Sequence, residues 1–454
     1  MTELAVDAAK PPSVGALPAA ATPLPPAHAR YALVLLLCVY TVNFLDRQVV
    51  TILAEPIKND LGLADWQIGM MSGFAFAIFY SVLGIPIARA AEHRNRPLII
   101  ASALVAWSGF TVLCGAAQTF LQLCLYRIGV GVGEAGCTPP AHSLIADYVP
   151  KERRASALAF YSMGVPIGTL LGMAMGGMVA DHYGWRAAFL IAGAPGLLLA
   201  AVCLVSLKET RSQLKADMAA AKARQPSFAQ AMAVLATKRT FWLLAFAAAL
   251  KAFITYGQAA FTASFLLRNH GQEIVRIAGG FGLQPVGFLG LALGLIAGGC
   301  GALGSITGGW IADKSAARDE RRAMIAPAAA MLVSVPVSIA VLLVDRAAVA
   351  LALLVIPSFL NYFWYGPVYS TIQGIVPPHL RATAAAILLF VINLIGLGLG
   401  PLLIGACSDF FAQGLGLGVA EGVRFALMVA ACFGLVASVL FWMARKTIRE
   451  EMEG

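Results

Sequence analysis

The sequence predicts an all-α membrane protein, with twelve transmembrane helices arranged as two six-helix bundles. Three observations point there. The chain is 59% hydrophobic and only 12% charged, with a mean hydropathy of +0.80, whereas a soluble domain carries roughly 25% charged residues. Apolar runs long enough to cross a bilayer, about 20 residues each, recur twelve times, six on either side of one long polar stretch. Short motifs also recur in the two halves in the same order.

Residues 1–29 are rich in Ala and Pro and lack a basic start followed by an apolar core, so a disordered cytoplasmic tail is expected rather than a cleavable signal. The first bundle, 30–207, reads as spans at 31–54, 66–91, 97–117, 119–147, 153–180 and 185–207. The polar stretch 208–239 is a cytoplasmic linker. The second bundle, 240–445, reads as spans at 240–268, 284–312, 323–344, 348–375, 381–409 and 422–444, and 446–454 is a second cytoplasmic tail.

The halves share motifs. "VPKERRA" at Val149–Ala155 matches "VPPHLRA" at Val376–Ala382, and Asp181 and Asp409 follow at nearly equal offsets. The second and eighth spans each end on a Gly, then an acid, then basic residues. Two bundles related by a parallel repeat form a transporter architecture, with its site between them near mid-membrane.

With both termini in the cytoplasm, 23 of the 32 Lys and Arg fall in cytoplasmic segments and six in outer ones. The positive-inside rule expects this bias. The net charge of +9 is thus a topology signal, and nucleic acid is not an expected partner. Eight cysteines are scattered singly, without a paired or Cys/His spacing, so neither a disulfide framework nor a metal site is indicated. No glycine loop followed by Lys-Ser/Thr occurs, so nucleotide-driven transport is unsupported. No nucleophile–base set or cofactor motif suggests an enzyme.

Arg47, Arg127 and Lys251 fall inside spans, as do Asp46 and Glu134. An ionisable residue at membrane depth is by default a hypothesis about function. Arg127 and Glu134 are two turns apart on the fourth span, separated by about 10 Å on one face. Asp46 and Arg127 lie at matching depths, about 10 and 12 Å from the outer ends of their helices. Asp46 and Arg47 point about 100° apart, so each needs a partner elsewhere: Asp46 with Arg127, Arg47 with Glu134. Two acids and two bases in a low-dielectric cavity make a proton-coupling device, because moving an Arg away from a buried carboxylate favours proton uptake. Two structural alternatives stay open, Arg127 snorkelling to the interface and a static Asp46–Arg127 pair. His142 reads as a packed, hydrogen-bonded histidine.

The second half is aromatic instead, with Tyr256, Tyr362, Phe363, Trp364 and Tyr365, plus Asn361 and Asn393 as isolated polar groups. Lys251, Tyr256, Asn361, Tyr365 and Asn393 are the expected substrate-cavity residues. A cavity charged on one wall and aromatic on the other suits an amphiphile with a polar head. Lys151, Arg153 and Arg154, with the Glu92 and Asp313 loops, are expected to close the cytoplasmic side.

The twelve-span repeat resembles the major facilitator superfamily. The fifth-span run "GVPIGTLLGMAMGG" looks like that superfamily's Gly/Pro-rich motif, and Gly309, Asp313 and Lys314 resemble its loop motif. The first copy departs from it, with Glu92 and His93 where Asp-Arg is usual. "NFLDRQVV", "YRIGVGVGEAG" and "ADYVPKERRA" resemble the spinster branch. That resemblance implies a proton-linked carrier of sphingolipids or lysophospholipids, with Asp46, Arg47, Arg127 and Glu134 as coupling residues. The related symporters of sugar acids and other small organic anions share part of these signatures and are the competing reading. A monomer in a bacterial inner membrane is expected, its partners being a small amphipathic substrate, protons and membrane lipid.

Overall fold

Ten helical runs among the described residues are long and apolar enough to cross a bilayer. They resolve into twelve spans, because Ser156–Ser206 holds two and the fourth span, broken in the middle, is counted in none. The computed structural model describes residues 25–150, 153–210, 228–316, 319–377 and 380–452, all without strands. The expected tail up to residue 24, most of the linker (211–227) and Lys151 lie outside them.

The first bundle is built from α1 (Pro26–Ile52), α2 (Asp65–Gly69, a π-helical turn at Met70–Phe74, then Ala75–His93), α3 (Arg96–Gly115) and α4 (Phe120–Glu134 and Thr138–Tyr148). α5 (Arg154–Ser162 and 164–183) and α6 (185–206) complete it. These two are divided at Gly184, whose φ of 80° lies in the left-handed region open to glycine. The second bundle comprises α7 (Arg239–Gly280), α8 (Pro285–Leu295, Ile296–Cys300 and Gly301–Ala316), α9 (Glu320–Met324 and Ile325–Leu343) and α10 (Ala347–Leu360 and Tyr365–Ile375). It closes with α11 (Arg381–Val391, Ile392–Leu399 and Gly400–Asp409) and α12 (Gly418–Met452).

Several ends differ from expectation for local reasons. α1 starts at Pro26, inside the stretch read as tail, since proline is favoured in a first helical turn. α12 runs on to Met452 through the stretch read as a second tail. There Glu451 accepts from the Thr240 amide at 3.2 Å and its carbonyl accepts from Lys238 Nζ at 3.2 Å, tying the end of α12 to the start of α7. α4 and α10 break at equivalent places, 135–137 and 361–364. In α4 the cause is Pro139 and Pro140, which have no N–H to give the preceding turn.

Without a hydrophobic drive between helices in lipid, close packing rests on small residues. The glycine stripe of α5 does this against α1: a β-carbon at Gly168 would lie 2.4 Å from the Thr41 carbonyl oxygen, and one at Gly172 2.5 Å from that of Leu45. This contact fixes the height and rotation of α1, and so of Asp46.

The two bundles share one apolar core at the end remote from the chain termini, here the far end. Leu53, Ile57, Met71 and Met173 of the first bundle pack there with Phe261, Leu289, Ile404 and Leu427 of the second. Toward the near end the core divides in two, one part around Leu36, Trp107 and Ile145, which Leu397 and Tyr256 of the second bundle also reach, the other around Leu244, Met331 and Phe441.

Candidate functional site

α1, α2, α3 and α4 place the expected charges together. Glycines in "RIGVGVGE" let α4 approach its neighbours: a β-carbon at Gly131 would lie 2.6 Å from the Phe76 carbonyl oxygen. Arg127 and Glu134 are carried on this half of α4, with Asp46 and Arg47 facing them from α1.

Arg47 Nε donates to Glu134 Oε2 at 2.6 Å, as one of the two expected pairings requires. The guanidinium is caged by aromatic rings, 4.5 Å from the centroid of Tyr80, 4.9 Å from Phe76 and 5.1 Å from Phe44. Each such contact adds a cation–π attraction. Arg127 lies 5.1 Å from the centroid of the same Phe76 ring, so both cations contact one aromatic.

The second expected pairing is not formed. Asp46 Oδ2 accepts from Thr111 Oγ1 of α3 at 3.2 Å, and no ion pair joins Asp46 to Arg127. Both are buried, and Arg127 is 2% exposed, so snorkelling to the interface does not occur either. The competing donor on α3 was not visible at the level of matched depth. Asp46 Oδ1, Glu134 Oε1, Arg127 Nε and both amide atoms of Asn43 are buried without a hydrogen-bond partner. Native interiors leave few polar groups so. Their concentration here marks a site that gains bonds from a proton, water or a polar ligand group.

His142 departs from expectation. It is exposed, and its ring stands edge-on to Tyr161 at 5.4 Å, with no hydrogen bond among the described residues. The break at 135–137 turns the second half of α4 out of the register that a continuous helix would give. Tyr161 in turn stacks on Tyr40 at 4.3 Å.

The facing wall is aromatic. Tyr365 stacks with Trp364 at 4.0 Å, with Tyr362 at 5.9 Å and with Tyr369 at 6.4 Å. Tyr256 touches the cores of both bundles. Asn393 sits in the π-helical stretch of α11, a geometry frequent at functional sites. Lys251 and Asn361 are elsewhere: both line a small cavity walled only by α7, α9, α10 and α12, inside the second bundle. Sequence depth could not distinguish this from the space between bundles.

Of the expected near-end gate, Arg153 and Arg154 are exposed, and Arg154 Nε donates to the Val149 carbonyl of its own bundle at 3.3 Å. The Glu92 and Asp313 side chains lie outside the described residues. All hydrogen bonds between the bundles among the described residues are at the far end. Arg268 of α7 grips Glu55 at 2.7 Å and Asp65 at 2.8 Å, and Lys58 and Ser408 also bond Asp65. Asp181 of α5 accepts from the amides of Val286 and Gly287, at 3.3 and 2.5 Å, at the start of α8. Asp409 of α11 accepts from those of Asp65 and Trp66, at 3.0 and 2.8 Å, at the start of α2. Each carboxylate thus caps a helix N-terminus in the opposite bundle, where unpaired N–H groups and the helix dipole favour negative charge. The sequence offered one signal for this seal, the matched offsets of Asp181 and Asp409.

Comparison with known proteins agrees with this architecture. The model of the Major Facilitator Superfamily matches residues 36–401. The chain belongs to the major facilitator superfamily. As a superfamily member it is a multi-pass membrane transporter and not an enzyme. It is 33% identical over 428 residues to an MFS-type efflux pump of Mycolicibacterium smegmatis, covering 94% of this chain and 95% of that protein. It is 25% identical to a hexuronate transporter of Bacillus subtilis, covering 81% and 85%. Among solved structures, a bacterial homologue of the human lysosomal transporter spinster, in an inward-facing and unoccupied conformation, matches with a TM-score of 0.82 at 31% identity. That match covers 94% of this chain and 99% of the other.

Proposed function

We propose that this transporter is proton-coupled and carries an amphipathic, lipid-like molecule, of the lysophospholipid or sphingolipid class, by alternating access. The observation that carries the proposal is the Asp46, Arg47, Arg127, Glu134 cluster, in which Asp46, Arg127 and Glu134 are buried and Arg47 is partly buried, with one acid–base pair made and the other left apart. A proton on Glu134 would remove the charge that holds Arg47. Withdrawal of Arg47 would leave a buried carboxylate that gains from a proton. Asp46, whose Oδ2 accepts from Thr111, is the second acceptor.

The polar head of the substrate would meet Arg47, whose side chain is 14% exposed. Its apolar part would lie along Tyr256 and Tyr365, with Asn393 beside them. The near end is assigned to the cytoplasm, with Arg153 and Arg154 and the Glu92 and Asp313 loops closing it in the opposite state. The protein acts as a monomer in a bacterial inner membrane. Rocking between the states follows from contacts that differ between them, the only kind that shifts such an equilibrium.

The test is uptake into proteoliposomes with and without an imposed pH gradient, using lysophospholipid, sphingoid lipid and sugar acid. Gradient-driven lipid movement, lost in Glu134→Gln and Asp46→Asn, is the expected result. Sugar-acid uptake without lipid movement would favour the second reading, a proton symporter of small organic anions, which the likeness to the hexuronate transporter supports. Transport indifferent to the gradient and to both variants would overturn proton coupling.

A further inference from the structure

We infer that the second bundle contains a site for a small monovalent anion of the halide class, centred on Lys251. The Lys251 side chain is wholly buried. Its Nζ donates to Thr255 Oγ1 at 2.6 Å, while the Thr255 hydroxyl itself donates to the Lys251 carbonyl at 2.9 Å. One of three ammonium protons is thereby accounted for.

An ammonium taken out of water needs a counter-charge or a heavy cost is left standing. The bundle supplies none. The middle stretches of its helices, 240–266, 285–312, 325–343, 347–375, 381–408 and 422–444, contain no Asp or Glu, the acids of these helices (Glu273, Asp313, Glu320, Asp409, Glu421, Glu450 and Glu451) all standing toward helix ends. The first bundle, with Asp46 and Glu134 set against its two arginines, is balanced by its own residues. In the second, an anion from outside the chain would supply the balance and keep the lysine protonated.

The surroundings of Lys251 are those of an anion site. It faces a cavity of about 10 Å³ with Ser334, Ser338 and Asn361 on its walls and apolar residues elsewhere. A helical serine commonly donates back to a carbonyl three or four residues earlier, as Ser72, Ser162 and Ser206 do here. Ser334 does not: its hydroxyl is buried with no partner. Lys251, Ser334, Ser338 and Asn361 line a space that holds one water-sized occupant. A carboxylate or phosphate headgroup is too large for it, so the site is distinct from the substrate cavity. Asn361 ends the first half of α10, directly before Tyr362, Trp364 and Tyr365, so the bound anion would brace the break that presents the aromatic wall.

The experiment is thermal unfolding of the purified protein in sodium chloride against sodium gluconate at equal ionic strength. A ligand that binds only the folded state raises Tm with its concentration. A saturable rise in chloride, reproduced by bromide, is expected for the native chain. Lys251→Met should abolish it, and Ser334→Ala should raise the half-saturating chloride concentration about tenfold. Equal Tm in the two salts, or a chloride effect that persists in Lys251→Met, overturns the site. Should Lys251→Met fail to fold, Ser334→Ala decides: an unchanged half-saturating concentration refutes the assignment.

Discussion

Arg268→Met should unlatch the far end. Arg268 is 7% exposed and bonds Glu55 and Asp65, themselves 13% and 1% exposed, across the seam between the bundles. Charged hydrogen bonds contribute about 1.5–3 kcal/mol each, and removing one member of a buried pair costs about 3–5 kcal/mol. When the far end opens, water takes over part of these bonds. A net share of about 2–3 kcal/mol then favours the closed arrangement, which corresponds to a shift of about 30- to 150-fold toward the open one, at a factor of ten per 1.4 kcal/mol. The assay is a spin-label distance between Tyr183→Cys and Phe281→Cys, both exposed far-end positions on opposite bundles, in a background lacking the exposed Cys38 and Cys432. The variant should populate a longer distance, and the closed distance of the parent should survive high salt, because screening is weak for buried pairs. An Arg268→Met distribution identical to the parent's would show that apolar packing alone holds the seam.

The contrasting variant Arg186→Met breaks an ion pair with Asp60 in which both side chains are more than 40% exposed, and it should leave the same distance unchanged. Gly69→Ala would set a β-carbon 2.1 Å from the Pro401 carbonyl oxygen across the seam, and Gly131→Ala would set one 2.6 Å from that of Phe76 within the first bundle. The first should lengthen the far-end distance; the second should lower Tm by overpacking, about 1–3 kcal/mol, with that distance unaltered. Arg96 is fully buried and pairs with Asp147 at 2.6 Å and with Glu209 at the near end of the first bundle. Arg96→Met should therefore cost about 3–5 kcal/mol in thermal unfolding. Glu134→Gln combined with Arg268→Met should shift the far-end distance by an amount that is not the sum of the single effects, and strict additivity would uncouple the two sites.

The spans were readable because lipid imposes a length and a composition that few other constraints imitate, and the duplication was readable because its motifs sit at helix ends. The Arg47–Glu134 pair followed from rotation, since Asp46 and Arg47 point about 100° apart and each needs its own partner. The same reasoning failed for Asp46, because Thr111 on a third helix outcompeted the expected arginine, and which helix lies third around a buried carboxylate is set by packing. It failed for His142 at the Pro139–Pro140 break, a change of rotation that a periodicity count does not carry through. Lys251 was found by its charge alone. Whether it faced its own bundle or the central space depended on Ser334 and Ser338 of α9, residues too ordinary in a membrane helix to stand out.

The far-end seal and the charge cluster are joined by one short stretch of chain. α1 passes through Arg47 and ends at Ile52, and a single turn residue, Leu53, leads into the short helix Ala54–Leu61 that carries Glu55 and Lys58. Eight residues separate Arg47 from Glu55, about 12 Å at helical rise, so under the proposed mechanism a displacement of Arg47 on loss of the Glu134 charge would have a short path to the Arg268 contact. The two helix caps make the response collective. Asp181 belongs to the first bundle and caps α8, while Asp409 belongs to the second and caps α2, so neither bundle can turn away from the other without breaking both. A seal built from reciprocal contacts opens as a unit. That is the property a carrier needs if the site is never to be reached from both sides at once.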